Sequence, residues 1–406
     1  MESSEKERSF EHRAWRALAA TTALIAPMGA IYAFSVFIQP LEALLGLSRA
    51  DLALVFGVAA AAFGVGMMAA PALYRMAATS WLVLGCAGIS ALGIALAATA
   101  GGLLQLLVGY GGLFGLGGGA AYILMQQMVN LTVTSRHGLV NGYIVSLLPA
   151  GAMVAAPVFG WAIRAFGVRA ALGGLAATLA LTGLVSACLS RGAITETGVA
   201  AIVEMREDER RRTVFWRLAL VFFLAASAGL MVLSQAAGII TAYGGTTMLA
   251  VYGTTGITAT IAVARLGGGW MVDWLAIPAV AAGAHATALA GNVMLSIWPG
   301  PAVAVVALAL VGLGYGIMSG VTAAAVAVYW RRALYGRMAS RVYLAWSAAA
   351  IVLPIVAGRL FDLTHGYGTA VLIAGAGNAL GVLLAAGLPN ERAVAEPPAA
   401  EPAAAA

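Results

Sequence analysis

Charge is scarce in this chain: 9% of its 406 residues are Asp, Glu, Lys or Arg, against about a quarter in ordinary soluble domains. Lysine is nearly absent, Lys6 being the one lysine among 22 basic residues. Cysteine is limited to Cys86 and Cys188, both inside apolar segments, where they read as small buried hydrophobes rather than as a disulfide or metal pair. No glycine-rich loop ends in Lys-Ser or Lys-Thr, and no polar stretch is long enough for a nucleotide-binding domain. These absences exclude redox and zinc chemistry, metal or cofactor sites, and ATP-driven transport by this chain alone. The net charge of +6 points to membrane flanks rather than to nucleic acid, because the basic residues lie beside apolar runs.

What is present is apolar surface, 62% of the residues. Cutting the chain at its charges leaves uncharged runs of 60 residues at 76–135, 47 at 218–264 and 57 at 274–330, beside six shorter ones. A helix needs about 20 apolar residues to cross the hydrocarbon, so each of those three runs holds two spans. The total predicts an all-α membrane protein of twelve transmembrane helices. The spans fall at about 15–39, 50–73, 79–99, 103–129, 139–164, 168–189, 214–242, 247–273, 278–298, 301–329, 340–362 and 368–388. Turn chemistry marks the breaks: Gly101-Gly102, Gly244-Gly245-Thr246 and Trp298-Pro299-Gly300-Pro301. The first apolar stretch has no small-residue cleavage site and is expected to remain as a span.

This divides the chain into an N-terminal segment (1–14), a six-helix bundle (15–190), a charged central loop (191–213), a second six-helix bundle (214–389) and an Ala/Pro/Glu-rich tail (390–406) expected to be disordered. With the N-terminus inside, seventeen basic residues fall on cytoplasmic segments and four outside, Arg49, Arg164, Arg169 and Arg359. Both termini are therefore expected in the cytoplasm, of a bacterium on composition. The halves also repeat: Pro157-Val158-Phe159-Gly160 near the end of span five has a counterpart in Pro354-Ile355-Val356-Ala357-Gly358 of span eleven. Parallel six-helix repeats put a binding site between the halves near mid-membrane.

The residues then carry a family likeness. The two-by-six layout, with Gly269-x-x-x-Asp273 closing span eight, resembles the major facilitator superfamily. Within it, Gly29-Ala30-Ile31-Tyr32-Ala33-Phe34-Ser35-Val36-Phe37 with Pro40-Leu41 is similar to the first-span signature of the monocarboxylate transporters and the oxalate/formate antiporters. So are Gly109-Tyr110-Gly111, Gly115 to Gly119 and Tyr122 in span four, the Arg136-His137-Gly138 step, and Arg265-x-x-x-Gly269-x-x-x-Asp273. The likeness implies a secondary carrier of small monocarboxylates working by alternating access, with Asp273 and Arg75 in its gate. Three departures qualify it. Tyr74-Arg75-Met76-Ala77 lacks the acidic residue usual after span two, Trp346 stands where oxalate/formate antiporters have lysine, and Ile261 where animal-type carriers have aspartate.

Arg265 is the one charge deep in a span, about 12 Å along the helix from Asp273 at 1.5 Å per residue. Such a charge costs about 2.5–3.5 kcal/mol on insertion scales and marks a functional site by default. No acidic residue lies at its depth, so its partner is expected to be a substrate carboxylate, whose geometry matches the guanidinium fork. Tyr32, Tyr122 and Tyr315 are candidate hydroxyl donors and Trp346 a candidate apolar wall. Ser35, Ser234 and Gln235 have useful depth but serve equally as interhelical glue. His285 is the one residue in the spans suited by type to carry a proton. An enzyme would need clustered acids, bases or metal ligands there, and only Arg265 and His285 are present; a receptor would need a larger soluble output module. The expected partners are a small organic anion, protons if transport is coupled to them, and the bilayer; no nucleic acid or protein partner is implied. The rivals within transport are an oxalate/formate-type anion exchanger and an amphiphile efflux carrier.

Overall fold

Backbone satisfaction in hydrocarbon permits only helices or closed barrels, and this chain takes the first course. The computed structural model describes residues 2–74, 76–133, 135–192, 211–330 and 332–391, side chains of 2–11 and 362 excepted. Among them no strand occurs, and twelve helices are long and apolar enough to cross a membrane. They are α1 (His12–Ala33), α2 (Arg49–Leu73), α3 (Thr79–Ala98), α4 (Leu103–Thr132), α5 (His137–Phe166), α6 (Val168–Leu189), α7 (Arg212–Ala242), α8 (Thr247–Val272), α9 (Ile277–Ile297), α10 (Pro301–Tyr329), α11 (Arg332–Phe361) and α12 (Gly368–Ala386). An even number of spans brings both chain ends to one side of the bundle, here called the terminal end. Arg75, most of the central loop and the tail from residue 392 lie outside the described residues.

Local chemistry sets the helix ends. Ser48 and Asp51 form a reciprocal capping box at the start of α2, and the Thr246 hydroxyl accepts from the Leu249 amide at 3.2 Å to start α8. Proline occupies the first turn of α9 and of α10, where its missing N–H costs nothing. Seven of the nine tryptophans, Trp15, Trp81, Trp161, Trp216, Trp270, Trp274 and Trp298, are more than half exposed and sit near helix ends. That is the position of an interfacial aromatic belt.

Helices that meet the centre are irregular there. The first span is α-helical to Met28, tightens into a 3-10 turn over Gly29–Ala33, breaks at Phe34 and resumes as Ser35–Leu45. α11 starts eight residues before the expected position, as a polar turn and a short helix, Tyr335–Val342, and is interrupted at Tyr343. In α4, residues Leu107–Phe114 widen into a π-helical segment. Broken helices survive at membrane depth only where neighbours or a cavity satisfy the backbone.

Candidate functional site

A small cavity, with about 30 Å³ of free space, lies between the two six-helix halves. Tyr32, Phe63, Met67, Tyr122, Val145 and Leu148 line it from α1, α2, α4 and α5. Phe222, Arg265, Tyr315, Ser319, Tyr343 and Trp346 line it from α7, α8, α10 and α11. Spans 3, 6, 9 and 12 contribute none of the lining.

Arg265 is 4% exposed. Its Nη1 donates to the Val145 carbonyl at 3.1 Å, across the junction of the halves, and its Nη2 to the Tyr315 hydroxyl at 2.9 Å. The guanidinium carbon stands 5.2 Å from the Tyr315 ring centre and 5.9 Å from that of Tyr32, within cation–π range. Hydrogen bonds from a charged donor contribute about 1.5–3 kcal/mol each, enough to hold the arginine in place. They do not complete it: Nε has no partner, and among the described residues no carboxylate pairs with this guanidinium. An unpaired buried donor on a cation costs at least about 1–3 kcal/mol, a cost that an incoming anion removes.

The tyrosine is oriented by what it accepts. Tyr315 receives Arg265 Nη2 and also Trp346 Nε1, at 3.0 Å, so both lone pairs of its oxygen are engaged. Its own proton must point elsewhere. Close packing keeps the arginine's backbone fixed, since Gly320 of α10 lies directly against the Arg265 carbonyl and any side chain there would overlap it.

Other expected site residues are located as follows. Ser35 is exposed and is not part of the cavity lining. Gln235 accepts from the Tyr367 hydroxyl at 3.1 Å inside the C-terminal half, and Ser234 donates back to the Met231 carbonyl at 3.0 Å. His285 is 1% exposed, with Nδ1 2.9 Å from Asn378 Oδ1 and Nε2 3.1 Å from the Val221 carbonyl oxygen. It faces α7 and α12, apart from the cavity lining. Arg75, expected in the gate, lies outside the described residues.

Below the cavity the terminal end is closed by polar contacts between the halves. Arg136 precedes α5 in a left-handed conformation (φ 51°) and caps nothing with its side chain. Asp273, at the end of α8, supplies the cap from the other half: its two carboxylate oxygens accept from the Gly138 amide at 2.7 Å and the Leu139 amide at 2.9 Å. A carboxylate at a helix N-terminus is favoured by the exposed amides and the helix dipole. The approach depends on glycine, because a Cβ on Gly138 or on Gly269 would overlap the carbonyl of the other. Burial nonetheless raises the Asp273 carboxyl above its ordinary range, with the two amides and Arg136 pulling in the opposite direction.

The matching helix start in the other half is capped by a neutral group. Gln127 of α4 accepts from the Gly336 amide of α11 through Oε1 and donates to the Arg332 carbonyl at 2.9 Å through Nε2. Beside it, Gln126 Oε1 accepts from Tyr335 at 2.7 Å and Tyr343 at 3.4 Å. Arg332 Nη2 lies 3.0 Å from His137 Nε2. Tyr74, the first residue of the segment that lacks the superfamily's usual acid, keeps to its own half and donates to the Leu124 carbonyl at 2.9 Å. The sequence reading overlooked Phe63, Phe222, Tyr343 and the Gln126-Gln127 pair. The pair had a signal, two adjacent amides inside an otherwise apolar span; the rings had none.

Twelve spans in two halves around a central cavity headed by one buried cation define the architecture of a membrane carrier. The chain belongs to the Major Facilitator Superfamily, whose family model matches residues 18–354, and it is a transporter rather than an enzyme. A comparison with curated protein sequences finds no match. Among solved structures the chain is similar to the transporter FucP in its outward conformation, at 16% identity and a TM-score of 0.68, covering 91% of this chain and 97% of that one. It is also similar to the proton:xylose symporter XylE bound to 6-bromo-6-deoxy-D-glucose, at 14% identity and a TM-score of 0.73, covering 93% and 96%. A double-tryptophan variant of XylE gives 13% identity and a TM-score of 0.76, again covering 93% and 96%. At these identities the likeness is one of fold.

Proposed function

We propose that this chain is a secondary active transporter of small monocarboxylate anions, of which lactate and pyruvate are the simplest, and that Arg265 binds the carboxylate. One observation carries the reading: a 4%-exposed arginine with an unpartnered Nε on a cavity shared by both halves, and no acidic side chain beside it. Tyr315, Tyr32 and Tyr122 are hydroxyls at that cavity suited to the carboxylate, and Trp346 forms part of its wall. A single cation argues for a single negative charge on the substrate. The oxalate-type reading would need a second cation, and Trp346 occupies the position where a lysine is expected for it.

Transport proceeds by rocking of the halves about the cavity. Among the described residues the hydrogen bonds crossing between the halves run from Arg265–Val145 at mid-membrane to the terminal end, which suits a state open at the opposite end. The gate is Asp273 with its partners, Arg75 being its further candidate member. The count of seventeen basic residues against four supports a cytoplasmic terminal end in a bacterial inner membrane, with the half boundaries at 15–190 and 214–389. Coupling to protons is read as independent of His285, which the anion does not reach from the cavity. The experiment is uptake of a panel of labelled acids by purified protein in liposomes under an imposed pH gradient. Uptake of monocarboxylates that is lost in Arg265→Ala supports the reading; a folded Arg265→Ala variant that transports like the parent overturns it.

A further inference from the structure

The wall of the cavity says more about the substrate than its single charge does. Six rings follow one another around it in a collar that crosses between the halves three times. Tyr32 meets Trp346 at 6.2 Å between ring centres, Trp346 meets Phe63 at 6.2 Å, and Phe63 meets Tyr122 at 5.8 Å. Tyr122 meets Tyr343 at 5.9 Å, and Tyr343 meets Phe222 at 5.9 Å. The interplanar angles, 47° to 88°, are those of tilted and edge-to-face pairs. Aromatic pairs favour that arrangement.

The polar groups of the wall are turned toward each other. Ser319 donates to the Tyr315 carbonyl at 2.9 Å, Tyr343 to Gln126, and Trp346 Nε1 to the Tyr315 hydroxyl. Tyr32 interacts with Arg265 and Tyr122 with Gln126. The lining contains no Asn, Gln, His or Lys to read a hydroxyl or keto group on the body of a substrate.

Resting on the carboxylate reading of Arg265, we propose that the preferred substrates are monocarboxylates with an aromatic body, of the arylacetate type. The carboxylate meets Arg265 Nε and the freed proton of Tyr315, and the ring enters the collar. A two- or three-carbon hydroxy or keto acid satisfies Arg265 but brings no ring to the collar and leaves its own second oxygen without a partner. A quaternary ammonium zwitterion satisfies both the arginine and the rings, but brings a second cation into a cavity that already holds one and contains no acid.

The test is calorimetric binding to the purified full-length protein, with phenylacetate, lactate, pyruvate, glycine betaine and 2-phenylethanol as probes. Phenylacetate is expected to bind about tenfold or more tighter than lactate or pyruvate, the difference that burying a ring against aromatic partners gives. Arg265→Ala should abolish its binding, and Phe63→Ala or Phe222→Ala should shrink the preference over lactate. Two substitutions on different helices guard against one that merely unfolds. Lactate or pyruvate binding as tightly as phenylacetate, or betaine binding tighter, overturns the aromatic assignment and leaves the monocarboxylate reading standing. If 2-phenylethanol binds as well as phenylacetate, or if no acid depends on Arg265, the carboxylate reading itself falls and the aromatic one with it.

Discussion

The junction between the halves is polar both at mid-membrane and at the terminal end, but the two regions satisfy their polar groups differently. At the terminal end the Gly138, Leu139 and Gly336 amides are all met across the junction, by Asp273 and Gln127. At mid-membrane Arg265 crosses to Val145 with one nitrogen and leaves Nε unmet. Both regions leave a buried nitrogen unmet, but at the terminal end it is the neutral amide Gln126 Nε2 and at mid-membrane it is part of a cation; met helix-start amides hold the halves shut, and an incomplete buried cation waits for a ligand. Within the closed end a second contrast appears, because one helix start is capped by a titratable carboxylate and its counterpart by an amide. Only the first can respond to pH.

The mid-membrane region should be the more sensitive to substitution. Arg265→Lys keeps the charge but loses the fork that reaches Val145 and Tyr315 together, so uptake is expected to fall by about two orders of magnitude, corresponding to roughly 3 kcal/mol. Initial rates in liposomes measure it, and a lysine variant within a few fold of the parent would mean that charge alone suffices. Next in size, Trp346→Lys adds a second cation to the wall and removes the donor to Tyr315. Preference is expected to move toward dianions such as oxalate, read by competition among labelled acids. Unchanged selectivity in a folded, active variant would remove Trp346 from the substrate wall.

Substitutions at the closed end should shift the balance of states rather than abolish transport. Asp273→Ala uncaps two amides at a cost of about 1 kcal/mol, favouring the state open at the terminal end about fivefold, and Gln127→Ala should do the same by a similar or smaller factor. The pH response separates them. Burial raises the Asp273 carboxyl in the closed arrangement, so that arrangement binds a proton more tightly than an opened, hydrated one. Lowering the pH from 7 toward the upper carboxylate range should therefore favour closure. Thiol labelling of single cysteines introduced near residues 139 and 336 reports it. The response should vanish in Asp273→Asn and persist in Gln127→Ala; a response unchanged in Asp273→Asn would assign it to another group. The smallest effect is expected from His285→Ala, which should retain substantial pH-dependent uptake. Proton flux coupled one-to-one to substrate flux in the parent and lost in that variant would instead make His285 the proton carrier.

The sequence by itself determined the twelve spans, because hydrocarbon thickness sets the length of each apolar run and charges mark its ends. It also isolated Arg265, since a buried charge with no acid at its depth is visible in a linear string. The turn at Phe34 was not legible, because its neighbours are as apolar as those of an unbroken span, and the break at Tyr343 was not, because the charged run before it reads as a loop rather than as the first turns of a helix. What only the tertiary structure decided is which residues meet across the junction. Trp346 and Tyr315 converge on Arg265, whereas Ser35 and Gln235, equally polar and at comparable depth, turn away. Asp273 caps a helix 134 positions away in sequence. The physical reason is that hydropathy fixes how deep a residue sits, while the face it presents depends on how helices distant in sequence pack through their glycines. No local pattern carries that rotation.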